Sequence, residues 1–294
     1  MKKITPSSWN SSWDACPLPA EGVGEPRWLR WTLTAVAVVF MAVFLVLPLA
    51  NIFHAALSEG WRVFLASLRN EDAAQAIRLS LLSTGAAVLL SGIFGLAAAW
   101  LLGRHRIPGH GLWVAVLDLP FAISPVVAGL MFVLLFGLDG WFGPWLDRHN
   151  TQIIFAKPGI VLATAFVTFP FVARELLPLV EALGPEAEEA ARLLGASPWQ
   201  TFWRVTLPAL KWGLLYGVIL CASRAMGEFG AVSVVSGHIR GETMTLPLHI
   251  EAVYNEYQFG AAFACASLLS LMALVSLALK SFVAWRGRQH QEAS

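Results

Sequence analysis

The sequence predicts an all-α, polytopic membrane protein with about six transmembrane helices and one long polar loop between the fourth and the fifth. Three observations lead there. Of 294 residues, 57% are hydrophobic and 13% are charged, where a soluble domain carries about 25% charged residues; most of such a surface meets lipid. Runs of roughly 20 apolar residues, enough to cross a bilayer, occupy positions 31–50, 79–102, 112–138, 159–179, 212–236 and 260–285. They are too long and too continuously apolar for alternating barrel strands, and in hydrocarbon a helix satisfies its own backbone polar groups.

Residues 1–30 are polar and rich in Ser, Pro, Gly and Trp, and read as an N-terminal tail. They lack the charged-then-apolar layout of a cleavable signal, so the first run is an uncleaved span. An amphipathic anchor through Trp9 and Trp13 is the alternative for this segment. The second and third runs are separated by a short cationic loop at 103–111, GRHRIPGHG. The fourth run is the weakest, interrupted by Thr168, Pro170, Arg174 and Glu175. The sixth leaves a tail at 286–294. If the N-terminus is inside, thirteen Lys and Arg fall in inside segments and six outside, which places both termini in the cytoplasm. Trp28, Trp31, Trp100, Trp113, Trp212 and Trp285 lie near run ends, as interfacial tryptophans do.

Several function classes drop out. The net charge is +1 and no basic block resembles a nucleic-acid footprint. Cys16, Cys221 and Cys265 are far apart, and the histidines show no metal-ligand spacing, so neither a disulfide framework nor a metal site is expected. The outside segments, 51–78, 139–158 and 237–259, are too short for a receptor domain. No catalytic constellation is visible. A phosphate-binding P-loop needs a Gly-Lys pair, and none of Lys2, Lys3, Lys157, Lys211 and Lys280 follows a glycine; the chain cannot hydrolyse ATP by that route.

The loop at 181–210, EALGPEAEEAARLLGASPWQTFWRVTLPAL, carries the most information. Gly184 ends one helix and Pro185 suits the first turn of the next, whose Glu186, Glu188 and Glu189 match the positive N-terminal dipole. Gly195 is placed to stop that helix. Ser197-Pro198 reads as N-cap and first residue of a second short helix, from Trp199 to about Val205, which Leu207-Pro208 breaks. An acidic first turn is unusual for a helix resting on lipid headgroups; a small apolar face outside the membrane suits a groove on another protein.

Glu189-Ala190-Ala191, then Gly195, then Val205-x-Leu207-Pro208 resemble the EAA signature of bacterial ABC-importer permeases, with valine where isoleucine is commoner. The resemblance implies that this loop is the coupling helix, docking on a separate cytoplasmic ATPase through Glu189, Ala190, Ala191, Gly195, Leu207 and Pro208. It implies two ATPase copies, a homologous partner permease, a periplasmic binding protein and an inner-membrane location. No cofactor is expected on this chain, ATP and Mg belonging to the ATPase.

Cargo is addressed by the next forty residues. Arg224 to Gly241, RAMGEFGAVSVVSGHIRG, followed by TLPLHI and YNEY, resembles the oxyanion branch of these permeases, and most of all the W-type subunit of sulfate/thiosulfate importers; molybdate or tungstate is the alternative cargo. Arg224 and Glu228, four apart, fall on one face of the fifth span and can pair, either along the translocation path or as a clasp between helices. Ser233 and Ser236 supply hydroxyls to an anion path. His238 and Arg240 suit docking of the binding protein. A secondary transporter, from a different class, would have no need of the 189–195 segment.

Overall fold

Apolar runs of this length have one way to close their backbone hydrogen bonds in lipid, and the chain takes it. In the computed structural model, which describes residues 27–105 and 107–292, every regular element among the described residues is helical. The polar segment through residue 26, with Trp9, Trp13 and Cys16, lies outside the described residues, as does Arg106.

The first unit ends at Asn51. It holds α1 (Arg27–Met41), a π-helical turn (Ala42–Val46) and the start of α2 (Leu47–Leu57), which run together as one rod. Its apolar side chains are exposed nearly throughout.

The second unit, from Ile52 onward, is built around α4 (Glu71–Arg104) and α8 (Lys157–Leu183). Ala87, Ser91, Gly95, Ala99 and Gly103 recur every fourth residue of α4 and so form one stripe. A Cβ on Gly95 would lie 2.8 Å from Val172 Cβ, and one on Gly103 2.9 Å from Val180 Cγ1. Small residues therefore let the two backbones approach closely, as helices in lipid do. Ser91 donates to the Ala165 carbonyl at 3.3 Å and shares a 3.2 Å hydrogen bond with Thr168. Val172, Leu176 and Val180 of α8 then pack with Ala99, Leu210 and Cys221 into the main core. The interrupted fourth run is the most buried of the spans, half of its apolar window being enclosed by protein. Thr164, Thr168 and Pro170 face that interior.

Three expectations are corrected. Residues 112–138 are two helices, α5 (His110–Ala122) and α6 (Pro125–Phe136), meeting at 104°. Pro125 cannot donate and holds Ser124 out of the helical region, with ψ at 135°, so the apolar run turns there. The fifth run is α11 (Leu207–Met226), which stops at Gly227; residues 230–235 form a separate short helix, α12 (Gly230–Val235), packed on α6 and α8. The last helix, α14 (Phe259–Glu292), runs past 285 into the expected tail. Three further helices outside the 181–210 loop are short: α3 (Trp61–Arg69), α7 (Gly143–Arg148), and α13 (Leu246–Asn255), which packs on α14 and α4. Because Arg104 ends α4 beside the 181–210 loop and Asp72 begins it beside Arg240, that loop and α13 lie at opposite ends of the bundle.

Candidate functional site

At the 181–210 end, local chemistry fixes the chain closely. α8 ends at Gly184, whose φ is +60°. Pro185 takes the N-cap position rather than the first helical one, and α9 (Glu186–Leu193) follows. Its C-terminus is closed by two hydrogen bonds, Gly195 N–H to Arg192 O at 2.9 Å and Ala196 N–H to Ala191 O at 3.0 Å. That pairing is a Schellman motif, which requires a left-handed residue between the two donors; Gly195, with φ +87°, provides it without a Cβ penalty. Ser197 and Gln200 form a reciprocal capping box, Gln200 N–H to Ser197 Oγ at 3.3 Å and Ser197 N–H to Gln200 Oε1 at 2.9 Å, opening α10 (Pro198–Thr201).

Leu207-Pro208 does not separate this second helix from the fifth span. α10 passes through a π-helical turn (Phe202–Thr206) directly into α11. Pro208 lacks an N–H, and its ring would crowd the carbonyl four residues back in an α-helix; the wider turn immediately before it makes room. The loop is thus one separate short helix followed by the extended start of α11.

Glu189, Ala190, Gly195 and Pro208 are exposed, with Ala191 and Leu207 half-buried. Beside them Leu193 and Leu194 are 88% and 89% exposed, and Trp199 and Trp203 are also open. The glycine stop thus presents two bare leucines at the end of the acidic helix. Glu188 is different, and its role was not visible in the sequence. It is buried, pairs with Arg104 at 2.9 Å, and accepts a 2.7 Å hydrogen bond from the Thr206 hydroxyl. Only its i,i+4 neighbour Arg192, at 4.0 Å, could have been found from spacing.

The second group of expected residues sits where α11 stops. Arg224 Nη1 lies 2.6 Å from Glu228 Oε2, with the glutamate side chain 1% exposed and the arginine 35%. The two do not share a helix face: Gly227 ends α11, so Glu228 belongs to the turn, and its Oε1 accepts the Ala231 N–H at 3.0 Å. One carboxylate thereby holds the end of α11 and the start of α12. Next to it is a small cavity of about 10 Å³ lined by Ser80, Ser83, Thr84, Thr164 and Thr245. The Thr245 hydroxyl there is buried and has no hydrogen-bond partner among the described residues.

Ser233 is occupied locally, its hydroxyl donating to Gly230 O at 2.9 Å. Ser236 donates to Thr243 O at 2.7 Å and accepts the His238 N–H at 3.1 Å, so both of its roles go to folding the turn. His238 and Arg240 are exposed. His238 adopts φ +53° with Nε2 2.9 Å from Ser233 O, while Arg240 pairs with Asp72 at 3.4 Å and with Glu256. Burial of His249 on α13 pushes its imidazole below the ordinary 6.5; Asp72 and Glu256 oppose this and Arg240 reinforces it. Elsewhere, Arg174 of α8 pairs with Asp118 of α5 at 3.0 Å, and its guanidinium lies over Phe121.

Comparison with known proteins adds what geometry alone does not. Residues 91–288 match the family described as binding-protein-dependent transport system inner membrane component. Over 90% of its length the chain is 50% identical to the sulfate transport system permease protein CysW of Synechocystis sp., covering 95% of that protein. It is 49% identical to the Escherichia coli protein of the same name over 88% of the chain and 89% of the relative. The sulfate transport system permease protein CysT of Escherichia coli is 39% identical over 82% of the chain and 87% of the relative. Among solved structures, a bacterial ABC transporter involved in import of the acidic polysaccharide alginate has a chain that superposes with a TM-score of 0.71. That match covers 89% of this chain and 96% of the other at 19% identity, and shows a common fold.

Proposed function

The chain belongs to the family of binding-protein-dependent transport system inner membrane components, and on that premise we propose that it is the permease subunit of an ATP-driven sulfate/thiosulfate importer. The observation that carries the coupling role is the outer face of α9, with Glu189, Ala190 and the bare Leu193–Leu194 pair held out by the Gly195 turn. Such a face suits a groove on another protein. The cargo is supported by the names of relatives about half identical over nearly the whole chain.

In this reading the chain is not itself a catalyst and binds no cofactor. ATP and Mg reside on two copies of a cytoplasmic ATPase beneath α9. A homologous permease supplies the other half of the path, and a periplasmic binding protein docks at the α13 end, near His238 and Arg240. Both termini then lie in the cytoplasm and the chain sits in the inner membrane, as its distribution of Lys and Arg supports. Closure of the ATPases moves α9, the bundle opens outward, and the anion enters from the binding protein. Arg224 and Glu228 hold the α11–α12 break beside the hydroxyl-lined cavity, and Ser233 and Ser236 shape the adjoining turn.

Deletion of the gene in a host with no other sulfate importer tests this. Growth on sulfate or thiosulfate as sole sulfur source should fail and return on complementation, and the tagged chain should copurify with an ATPase and a second permease. Normal sulfur growth with loss of molybdoenzyme activity would assign the chain to molybdate or tungstate instead. Uptake that survives ATP depletion would sink the ATP-driven reading altogether.

A further inference from the structure

Glu188 is the acidic residue of α9 that turns away from water, and it joins α9 to α4 and to the start of α11. Its Oε2 receives Arg104 of α4 through Nη2 at 2.9 Å and Nε at 3.1 Å. Its Oε1 accepts the Thr206 hydroxyl, from the π-helical turn before α11, at 2.7 Å. Arg192, one turn along α9, stands 4.0 Å away. Arg104 also donates to the carbonyl of Gly184, at the end of α8. The Arg104 and Glu188 side chains are 12% and 10% exposed. A buried ion pair offers little net stability over apolar packing, but removing one partner strands the other charge. What the arrangement supplies is position, since Arg104 and Thr206 fix the carboxylate from two directions.

The other end of α4 is fastened as well. Asp72 pairs with Arg240 at 3.4 Å, and the buried Ser80 hydroxyl accepts the Leu246 N–H at 2.6 Å. At 1.5 Å rise per residue, a 34-residue helix reaches about 50 Å. Between its ends α4 lies close against α8 along the small-residue stripe, and close-packed interiors transmit displacement rather than absorb it. Ser80, Ser83 and Thr84 of α4, with Thr245 just before α13, line the cavity beside Glu228.

We propose that Glu188 is a positioning residue that fastens α9 to α4 and α11, so that α4 carries the displacement of α9 to the α13 end of the bundle. This rests on reading α9 as the ATPase contact. Glu188 acts through Arg104 and Thr206 and needs no contact with the ATPase or the anion.

The test uses the whole complex in proteoliposomes, with its ATPase, partner permease and binding protein, and reads labelled sulfate imported per ATP hydrolysed. Glu188→Gln and Arg104→Gln should each lower that ratio by about tenfold, in line with loss of one partner of a buried charge pair. The double variant should be no worse than the poorer single, as residues acting through one contact are non-additive. The exchange of Glu188→Arg with Arg104→Glu should recover part of the loss. A wild-type ratio in Glu188→Gln, or multiplied losses in the double variant, would overturn the proposal. Should Glu188→Gln fail to assemble, Thr206→Val keeps both charges and removes one hydrogen bond; a ratio reduced severalfold supports the proposal and an unchanged one overturns it. Glu189→Lys separates the two readings: full transport in that variant removes α9 as the ATPase contact, whatever Glu188 does.

Discussion

Substituting alanine for Gly95 and, separately, for Gly85 of the same helix isolates the close approach of α4 to α8. Both changes gain helix propensity, about 0.5–1 kcal/mol in a helix interior. At Gly85 the new Cβ meets nothing within 4 Å, so that gain should stand. At Gly95 the Cβ lands 2.8 Å from Val172 Cβ, 3.0 Å from its Cγ1 and 3.1 Å from the Ala173 amide nitrogen. A Cβ and a backbone nitrogen cannot rotate away, so the helices must separate by a large fraction of an ångström. Overpacking of this kind costs about 1–3 kcal/mol, and a gap of 0.5–1 Å forfeits about a quarter to a half of each dispersion contact along the seam. Gly95→Ala should therefore be less stable than wild type by up to about 2 kcal/mol, and less stable than Gly85→Ala by about 1–3 kcal/mol, since the propensity gain is common to both. Reversible unfolding of the purified permease in mixed micelles by added SDS, followed by tryptophan fluorescence, gives both differences. Equal midpoints for the two variants would refute the close-packed seam.

Gly195→Pro should abolish uptake with the permease still inserted, because proline cannot take φ +87°; Gly195→Ala should retain partial uptake, with a local cost of about 1–2 kcal/mol. Glu189→Lys should likewise remove uptake without loss of membrane insertion, seen by immunoblot of washed membranes beside a transport assay. Ser197→Ala removes half of the capping box and should destabilise the 195–206 segment by about 1 kcal/mol, seen as faster amide exchange there. The lowered His249 gives a pH signature. Its folded-state affinity for protons is below that of the unfolded chain, so stability is complete above about 6.5 and falls as pH drops below it. A melting temperature that declines on acidification in wild type and loses that part of its slope in His249→Gln is the expected result.

Where the sequence could be read, the information was local. Gly184, Gly195 and Ser197-Pro198 stop and start helices through their own backbone chemistry, and the structure places those boundaries at the same residues. The number of apolar runs is likewise a property of lengths and composition. Misreadings arose where one local rule competed with another. Leu207-Pro208 looks like a break, yet a π-helical turn can carry a helix through proline. Ser124-Pro125 is hidden by the uniform apolarity on either side. Arg224 and Glu228 have helical spacing, but Gly227 ends the helix between them. Glu188 and Arg104 are 84 residues apart, and no periodicity encodes such a pair.

Among the spans of the second unit, polar interruptions and burial meet in the same helix, for a physical reason. Lys157–Leu183 is less apolar than Glu71–Arg104 or Phe259–Gly287, yet 50% of its apolar window is buried against 28% in each of those. Lipid accepts hydrocarbon and rejects polar groups, so interruptions such as Thr164 and Thr168 are forced inward and mark the interior of the bundle. Pro198–Met226 departs from that rule, being the least apolar of the five candidate spans with only 22% of its window buried. Its Arg224 side chain remains 35% exposed. A charged side chain is not left facing lipid. In the proposed importer the uncovered side of Arg224 therefore faces a second permease or a water-filled path, and the Arg224–Glu228 pair stands at the end of that same helix.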